Sequence, residues 1–255
     1  MTLREKLTEA TGKPHLSYSS IKYALGDMRL WEMYMKGQLK KESDALTFGT
    51  LYDMLLFERE KAMEQYYVLN DDEIIASIGG KSPKSTKKYK EWKAEAAQVT
   101  QNADKTLVSS ADWKKANDMI ERLAVCGLIQ KRLKGKYQVE FNEDINGVPL
   151  KGFLDCLGDG YITDSKSARS VDKFRYDVNS WCYDIQAYIY TTVFGIKDYY
   201  WVVQEKTYPY YPAEVKCSEE TLFKGEMKFH QALENIKKYL AEETPELNCY
   251  ASFIV

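Results

Sequence analysis

The segment from Gly147 to Tyr190 decides the fold, and it reads GVPLKGFLDCLGDGYITDSKSARSVDKFRYDVNSWCYDIQAYIY. Its run YITDSK is rich in β-branched and aromatic residues, which predicts a strand with Asp164 and Lys166 on one face. The preceding run ends at Asp155, and the G-D-G turn folds that run back against YITDSK. We therefore expect the two carboxylates and the ammonium to meet in one pocket.

Two carboxylates beside a lysine are typical of a divalent-metal site. Carboxylate oxygens are the hard ligands that Mg²⁺ and Mn²⁺ prefer in proteins. A neighbouring lysine can hold an attacking water and help to deprotonate it. The pattern at Asp155, Asp164 and Lys166 therefore indicates metal-assisted hydrolysis.

The composition is that of a soluble globular protein. The chain has 255 residues, of which 44% are hydrophobic and 29% charged. It contains no apolar run of about 18 residues, and its N-terminus lacks an apolar signal region, so we expect a cytoplasmic protein with no membrane span. The formal charge of −2 excludes nucleic-acid binding through bulk electrostatics alone, so any phosphate contact must be local.

The cysteines and histidines exclude several classes of site. The five cysteines stand singly without a C-x-x-C motif, so neither a disulfide framework nor a zinc or iron–sulfur site is expected. There are only two histidines, which argues against His-based catalysis and His-rich metal sites. Carboxylates and lysines must therefore carry any chemistry.

Two upstream segments carry candidate polar residues on helices. Residues 15–37 begin with a serine-rich stretch and continue in a helical pattern, which predicts a capped amphipathic helix. Ser17 and Ser19 are candidates for contact with a phosphate. Farther on, Asp53 stands near the start of a compact apolar helix at 51–57, where the helix dipole alone favours an acid. A purely structural role for Asp53 therefore stays open.

A lysine-rich segment lies at residues 79–105, where aromatic residues interrupt the lysines. Its Gly, Ser and Pro residues predict a flexible loop before Trp92 and a short helix after it. A solvated run of charges is the usual meaning of such a segment. Lysines interleaved with aromatics also suit a nucleic-acid backbone, so Lys87 and Lys88 are candidates for DNA contact.

The rest of the chain predicts an α/β sandwich around a mixed sheet. Residues 107–133 have a helical pattern, and three successive strands in an antiparallel meander follow. Helical residues 171–194 place Gln186 and Tyr190 on one face, and two strands and a final helix at 219–241 precede an apolar tail, SFIV. We expect an N-terminal helical region, residues 1–105 with the lysine-rich loop, packed on a core formed by residues 106–255.

Taken together, these motifs resemble the PD-(D/E)XK nuclease superfamily. Within it, the chain is most similar to the phage exonuclease VIII (RecE-like) group, which is related to the RecB nuclease domain. The resemblance covers most of the chain, and no single motif is specific, but six of them stand in the expected order. These motifs are LSYSSIK, FGTLYDMLLFE, KGFLD, DSK, QAYIY and WVVQEKTYPYYPAEV.

The resemblance implies a restriction-endonuclease-like core and assigns roles to the residues that match its motifs. Asp155 and Asp164 match the metal-binding acids, with the carbonyl of Ser165 completing the shell. Lys166 matches the catalytic lysine. The helix that supports the site and approaches the DNA is matched by Gln186 and Tyr190.

Two further acids follow from the same resemblance. Glu140, on the first strand, matches an acid that assists metal binding in many relatives, although a surface glutamate is an equally good interpretation. Asp53 falls where RecB-type relatives place a metal-binding histidine; a carboxylate there can still bind Mg²⁺, or it can mark weakened activity. No cysteines surround the core, so the iron–sulfur cluster of some relatives is not expected.

The implied activity is a Mg²⁺-dependent exonuclease that degrades linear double-stranded DNA 5′ to 3′ without ATP, with Mn²⁺ as a substitute ion. The resemblance also implies a role in phage-type recombination, a ring of three or four copies, and a RecT-like single-strand annealing protein as partner. Two alternatives stay open. One is a nuclease of the same fold that acts on single strands or flaps, and the other is a DNA-binding module whose catalysis has decayed.

Overall fold

The computed structural model describes residues 1–39, 44–102 and 105–241, which form 12 α-helices and seven strands. The helices are α1 Leu3–Thr11, α2 Tyr18–Ala24, α3 Met28–Met35, α4 Asp44–Phe57, α5 Arg59–Gln65, α6 Asp72–Ile78, α7 Lys87–Asn102, α8 Ser110–Ala124, α9 Gly127–Arg132, α10 Phe174–Ser180, α11 Tyr183–Phe194 and α12 Glu219–Leu240. The strands are β1 Tyr66–Leu69, β2 Thr106–Ser109, β3 Lys136–Ile145, β4 Val148–Leu157, β5 Tyr161–Ala168, β6 Asp198–Glu205 and β7 Pro212–Lys216. The predicted apolar tail at 252–255 lies outside the described residues.

The main sheet has five strands in the order β3-β4-β5-β6-β7. The first three run antiparallel to one another, which confirms the predicted meander. Strands β5 and β6 are parallel, and the chain passes between them through α10 and α11. Strand β7 pairs antiparallel with β6 at the edge, so the sheet is mixed, as the sequence predicted.

Tight turns join the strands of the meander. Asn146 and Gly147 both adopt positive φ angles, 52° and 79°, and this pair turns β3 into β4. Between β4 and β5, Gly160 has φ 77°, and a Cβ on Gly158 would lie only 2.1 Å from the ring of Tyr161. Glycine is therefore needed in both turns. The second turn sets the register of β4 against β5, the strands that carry Asp155 and Asp164.

Hydrophobic clusters cover both faces of the sheet. Helices α1, α2, α3, α11 and α12 bury one face against the strands, and α4, α5, α8 and α9 bury the other. This layering of helix, mixed sheet and helix confirms the predicted restriction-endonuclease-like core. None of the described helices is long and apolar enough to cross a membrane. Representative buried side chains are Leu7, Trp31, Leu154, Trp201 and Ile236 on the first face, and Leu51, Met119, Ile129, Cys156 and Val202 on the second.

A second, two-stranded sheet was not predicted from the sequence. Strand β1 pairs in parallel with β2, so residues before and after position 105 share one sheet. The only local signals are YYVL at 66–69 and TLVS at 106–109, which are too short to distinguish a strand from the flanking helices. The proposed division between residues 1–105 and 106–255 stays a prediction.

The helix predicted within residues 15–37 is divided into α2 and α3. Gly26 and Asp27 separate them, and the Asp27 carboxylate accepts a hydrogen bond from the backbone N–H of Arg29, at 2.9 Å. An aspartate in this position caps a new helix by satisfying a free backbone donor at its start. The break between α2 and α3 is therefore encoded in the Gly26-Asp27 pair.

The loop predicted before Trp92 is also shorter than expected. Helix α7 begins at Lys87, because the hydroxyl of Thr86 accepts from the backbone N–H of Tyr89, at 3.3 Å. Lys87 and Lys88 thus lie in the first turn of a helix, and the prediction of a loop at these two residues is wrong. The loop before them contains one short 3₁₀ turn, Pro83–Ser85.

Candidate active site

The site begins where strands β4 and β5 separate. Their described backbone pairing is limited to Cys156 with Thr163 and Leu157 with Ile162. Beyond these pairs the backbone N–H of Ser165 donates to the carboxylate of Asp155, at 2.8 Å. A side chain of β4 thus takes the place of a backbone acceptor, which opens the sheet and brings Asp155 beside β5.

Asp164 and Lys166 meet on β5, as their spacing predicted. Asp164 is buried, and the ammonium of Lys166 forms an ion pair with its carboxylate. The same ammonium lies 4.9 Å from the ring centroid of Tyr183, the first residue of α11. Lys166 is thus held between a carboxylate and an aromatic face, with 18% of its side chain exposed.

Helix α11 holds the acidic pair from one face of the sheet. The side-chain amide of Gln186 donates to Asp164, at 2.8 Å, and its nitrogen lies 3.5 Å from the hydroxyl of Tyr190. That hydroxyl in turn donates to the carbonyl of Phe153 on β4, at 2.9 Å. Residues four apart on a helix face the same way, so Gln186 and Tyr190 connect both acidic strands. Their position fits the predicted supporting role.

Asp53 approaches from the opposite face, on helix α4, which packs against β5. Its Oδ1 atom is buried and has no hydrogen-bond partner among the described residues. The preceding residue, Tyr52, is fully buried, and its hydroxyl donates to the side-chain carbonyl of Gln204 on β6, at 2.7 Å. This bond fixes the helix turn that carries Asp53.

The charges of the site oppose one another. Burial raises the pKa of Asp53 well above its usual value, and the charge of Asp155 raises it further while Lys166 lowers it. Burial likewise raises the pKa of Asp155, and it raises that of Asp164 to about 7 despite the ammonium beside it. Three largely buried carboxylates therefore act on one ammonium, and a further positive charge would stabilise their ionised forms.

The residues of the site fit a hard divalent cation by their chemistry. Asp155, Asp164 and the backbone carbonyl of Ser165 offer oxygen donors, and Asp53 contributes a buried oxygen that lacks a partner. Among the described residues, however, no three His, Cys, Asp or Glu side chains lie close enough together to form a metal site. The donor set is thus suitable in kind, and Ser165, Asp53 and the two strand acids remain the predicted ligands.

Glu140 is directed to a different partner. It lies on β3 opposite Phe153, and its carboxylate forms an ion pair with Lys151, at 2.8 Å. About half of its side chain is exposed, at 53%. The described contacts therefore favour the surface interpretation of Glu140 over a role as metal ligand.

The predicted phosphate contacts are also spread over the molecule. Ser17 caps α2, where its hydroxyl accepts from the backbone N–H of Ser20, and Ser19 is half-buried in the first turn of that helix. Lys87 forms an exposed ion pair with Glu91, at 3.5 Å, and Lys88 extends towards Ser77, 3.5 Å away. Helix α7, which carries both lysines, packs mainly on β2, on the 3₁₀ turn and on α6. The described contacts therefore do not bring these lysines to the acidic pair.

Several residues near the acids were missed in the sequence. Gln138 donates weakly to Asp155, at 3.5 Å, and adopts a positive φ of 48°, a strained conformation that often marks functional sites. Tyr183 stands three residues before Gln186, so the helical period was a signal that could have found it. Tyr18 and Gln204 lie within the motifs LSYSSIK and WVVQEKTYPYYPAEV, but only the tertiary fold shows which residues they contact.

Comparisons with known proteins agree with this architecture. The sequence pattern of a family described as "PDDEXK-like domain of unknown function (DUF3799)" matches residues 28–250. The same fold occurs in a crystal structure from Eubacterium rectale, of a protein provisionally named an exonuclease. The similarity has a TM-score of 0.61 at 16% sequence identity, and it covers 95% of this chain and 86% of that chain.

The sequence search of curated proteins finds no match. The family pattern, by contrast, spans most of the chain, from the start of α3 to residue 250. The splayed strands, the D-x-K run and the supporting helix lie inside that span. The chain therefore belongs to this family of PDDEXK-like domains, and its predicted place in the PD-(D/E)XK nuclease superfamily is confirmed.

Proposed function

We propose that the protein is a metal-dependent deoxyribonuclease that hydrolyses phosphodiester bonds from the ends of linear duplex DNA. The observation that carries the proposal is the ion pair between Lys166 and buried Asp164, beside Asp155, where β4 and β5 separate. Membership of a PDDEXK-like family supports the same chemistry. Digestion from 5′ to 3′ without ATP, in phage-type recombination, is the finer form of the proposal and is supported by the RecE-like motifs.

The cation in this proposal is Mg²⁺, with Mn²⁺ as a substitute, because the available donors are oxygens. Asp155, Asp164 and the Ser165 carbonyl would hold it, and Asp53 would add a third carboxylate. A bound divalent cation supplies positive charge to the scissile phosphate. The buried acids are kept in place by the backbone of Ser165 and the amide of Gln186, so the donor oxygens are already oriented.

Lys166 acts as a cation in this mechanism. Burial alone would lower its pKa, but the charges of Asp164 and Asp155 raise it, so the lysine keeps its proton at neutral pH. As an ammonium it donates a hydrogen bond that orients the attacking water or stabilises a phosphate oxygen. Water then adds its oxygen to phosphorus and gives up a proton to the solvent, the bond to the leaving oxygen breaks, and that oxygen takes up a proton in turn. No covalent bond to the protein is required.

Cleavage of an end-labelled linear duplex tests the proposal directly. We expect Lys166→Ala to lower the rate at least about 100-fold, because one preorganised charge is lost from the transition state. Lys216→Ala is the matched control, since Lys216 also pairs with an aspartate, Asp198 at 2.7 Å, and lies near a tyrosine ring, but 57% of its side chain is exposed. Cleavage that persists in a chelator, or undiminished in Lys166→Ala, contradicts the mechanism.

The same assay separates the alternatives. A duplex exonuclease degrades linear duplex but not closed circular duplex, whereas a single-strand or flap nuclease prefers the unpaired substrate. Labels placed at the 5′ or the 3′ end report the direction of digestion. A decayed module would bind duplex with a steep salt dependence and cleave nothing with any divalent ion. The homo-oligomeric ring and the annealing protein are further proposals that rest on the resemblance alone.

A further inference from the structure

Trp181 occupies the junction between α10 and α11, at the rim of the candidate active site. About half of this residue is exposed, at 53%. Its carbonyl accepts a hydrogen bond from the hydroxyl of Tyr18 on α2. The next residue, Cys182, has a left-handed φ of 58°, after which α11 begins with Tyr183, whose ring lies against the ammonium of Lys166. A large exposed indole thus stands two residues before Tyr183, the residue whose ring contacts the reactive lysine.

Tyr18 provides a second connection between Trp181 and the site. Tyr18 is half-buried, and burial raises the pKa of its phenol, while the charge of Lys166 lowers that pKa. Its hydroxyl holds the backbone of Trp181, and so ties α2 to the start of α11, which carries Tyr183 beside Lys166. The backbone that carries the indole is therefore held at the junction, so the position of Trp181 along the rim is set before a ligand binds.

Lys22 adds a positive charge to the same surface. Its ammonium lies 5.5 Å from the ring centroid of Trp181 and 5.7 Å from that of Tyr18. It stands one helical turn after Tyr18 on α2, so both residues face the same way. An aromatic ring beside an ammonium matches the two parts of a nucleotide, because the base has a flat π-face and the phosphate is anionic.

We infer that Trp181 and Lys22 form a nucleotide-binding subsite for the strand that enters the active site. The base stacks on Trp181 and Lys22 contacts the adjacent phosphate, which places the next phosphodiester bond towards Lys166. This inference rests on the proposed nuclease function and extends it to a residue outside the metal-binding and catalytic set. Stacking on an aromatic ring tolerates any base, so the subsite selects an unpaired nucleotide and not a sequence.

Binding of a fluorescein-labelled oligothymidylate in a chelator tests this subsite without cleavage. We expect Trp181→Ala to weaken binding about tenfold, because one stacked base is lost, and Trp181→Phe to restore most of it. Tyr67→Ala is the matched control, since Tyr67 has a similar exposure, 48%, and lies on β1 in the second sheet. In the cleavage assay, Trp181→Ala should raise KM and leave kcat nearly unchanged.

Lys22→Gln gives an independent test that does not depend on the stability of the Trp181 variants. Loss of one phosphate contact should reduce the slope of log affinity against log salt by about 0.7. Unchanged affinity in Trp181→Ala and an unchanged slope in Lys22→Gln would overturn the subsite, even if the wild-type protein cleaves DNA. If the wild-type protein neither binds the oligonucleotide nor cleaves duplex, both the subsite and the proposed function are wrong.

Discussion

Two aspartates in the N-terminal half, each with a buried carboxylate oxygen, have opposite surroundings. Asp71, just before α6, is almost fully buried at 1% exposure, and its carboxylate accepts from Tyr89 at 2.6 Å and from Ser110 at 3.1 Å. It also pairs with Lys84, at 2.7 Å. Burial acts to raise the pKa of Asp71, but these three donors lower it below its usual value. Folding therefore stabilises the charge of Asp71.

Asp53 has the contrary environment. Its buried Oδ1 has no partner among the described residues, and burial together with Asp155 raises its pKa. The protein thus satisfies one buried carboxylate completely and leaves another exposed to like charges, at a cost in stability. Natural proteins keep such unsatisfied groups mainly where they serve a ligand or a reaction. The contrast predicts a structural role for Asp71 and a functional role for Asp53 without reference to relatives.

Removal of Asp71 should have the largest effect on stability. Asp71→Ala leaves the hydroxyls of Tyr89 and Ser110 without their acceptor, and we expect the free energy of unfolding to fall by about 2 kcal/mol. Urea denaturation measures this change. Asp72→Ala is the control, because Asp72 is the exposed neighbour in the first turn of α6 and should cost less than about 0.5 kcal/mol. Equal losses of unfolding free energy in Asp71→Ala and Asp72→Ala would show that the buried hydrogen bonds of Asp71 do not stabilise the fold.

Much of the fold was predictable because its signals are local. The meander, the N-G and G-D-G turns, and the face shared by Asp164 and Lys166 follow from residue type and a period of two. The second sheet was missed because strands β1 and β2 are four residues each and lie 36 residues apart, with the second directly followed by a helix. Only tertiary packing distinguishes such short strands from helix ends.

The candidate site was predictable to a similar extent. Asp155, Asp164, Lys166, Gln186 and Tyr190 lie within one continuous stretch, and the structure joins them through hydrogen bonds and an ion pair. The partner of Glu140 could not be foreseen, because its pairing with Lys151 depends on the register of β3 and β4. Neither could the unsatisfied state of Asp53, since it results from helix α4 packing across the sheet.

Asp53→Asn should change stability in the opposite direction. In a chelator, we expect the free energy of unfolding of the variant to be about 1 kcal/mol higher than that of the wild type. The reason is that one of three mutually repelling carboxylates becomes neutral. Thermal unfolding measures the difference, and the cleavage assay should show a loss of activity in the same variant. A less stable Asp53→Asn protein would contradict the assignment of Asp53 as a strained functional acid.

The pH dependence of the stability gained in Asp53→Asn tests whether the gain comes from removing a charge. An acid whose pKa is higher in the folded protein binds more protons when folded, so its destabilising effect grows as the pH rises above its unfolded pKa of about 4. The gain from Asp53→Asn should therefore be larger at about pH 8 than at about pH 5. A gain that does not vary with pH would point to packing instead of charge.

Lys84→Ala should have the smallest effect, and it tests which partners satisfy Asp71. Half of the Lys84 side chain is exposed, at 50%, so water and salt screen its ion pair, and we expect a loss of about 0.5 kcal/mol that shrinks at high salt. The neighbouring exposed Lys81→Ala variant is the control. Asp71 would still accept from Tyr89, through a buried hydrogen bond, and from the half-buried Ser110. A loss as large as that of Asp71→Ala would mean that Asp71 depends mainly on its lysine. The environments of Asp71 and Asp53 would then differ less than their geometry indicates.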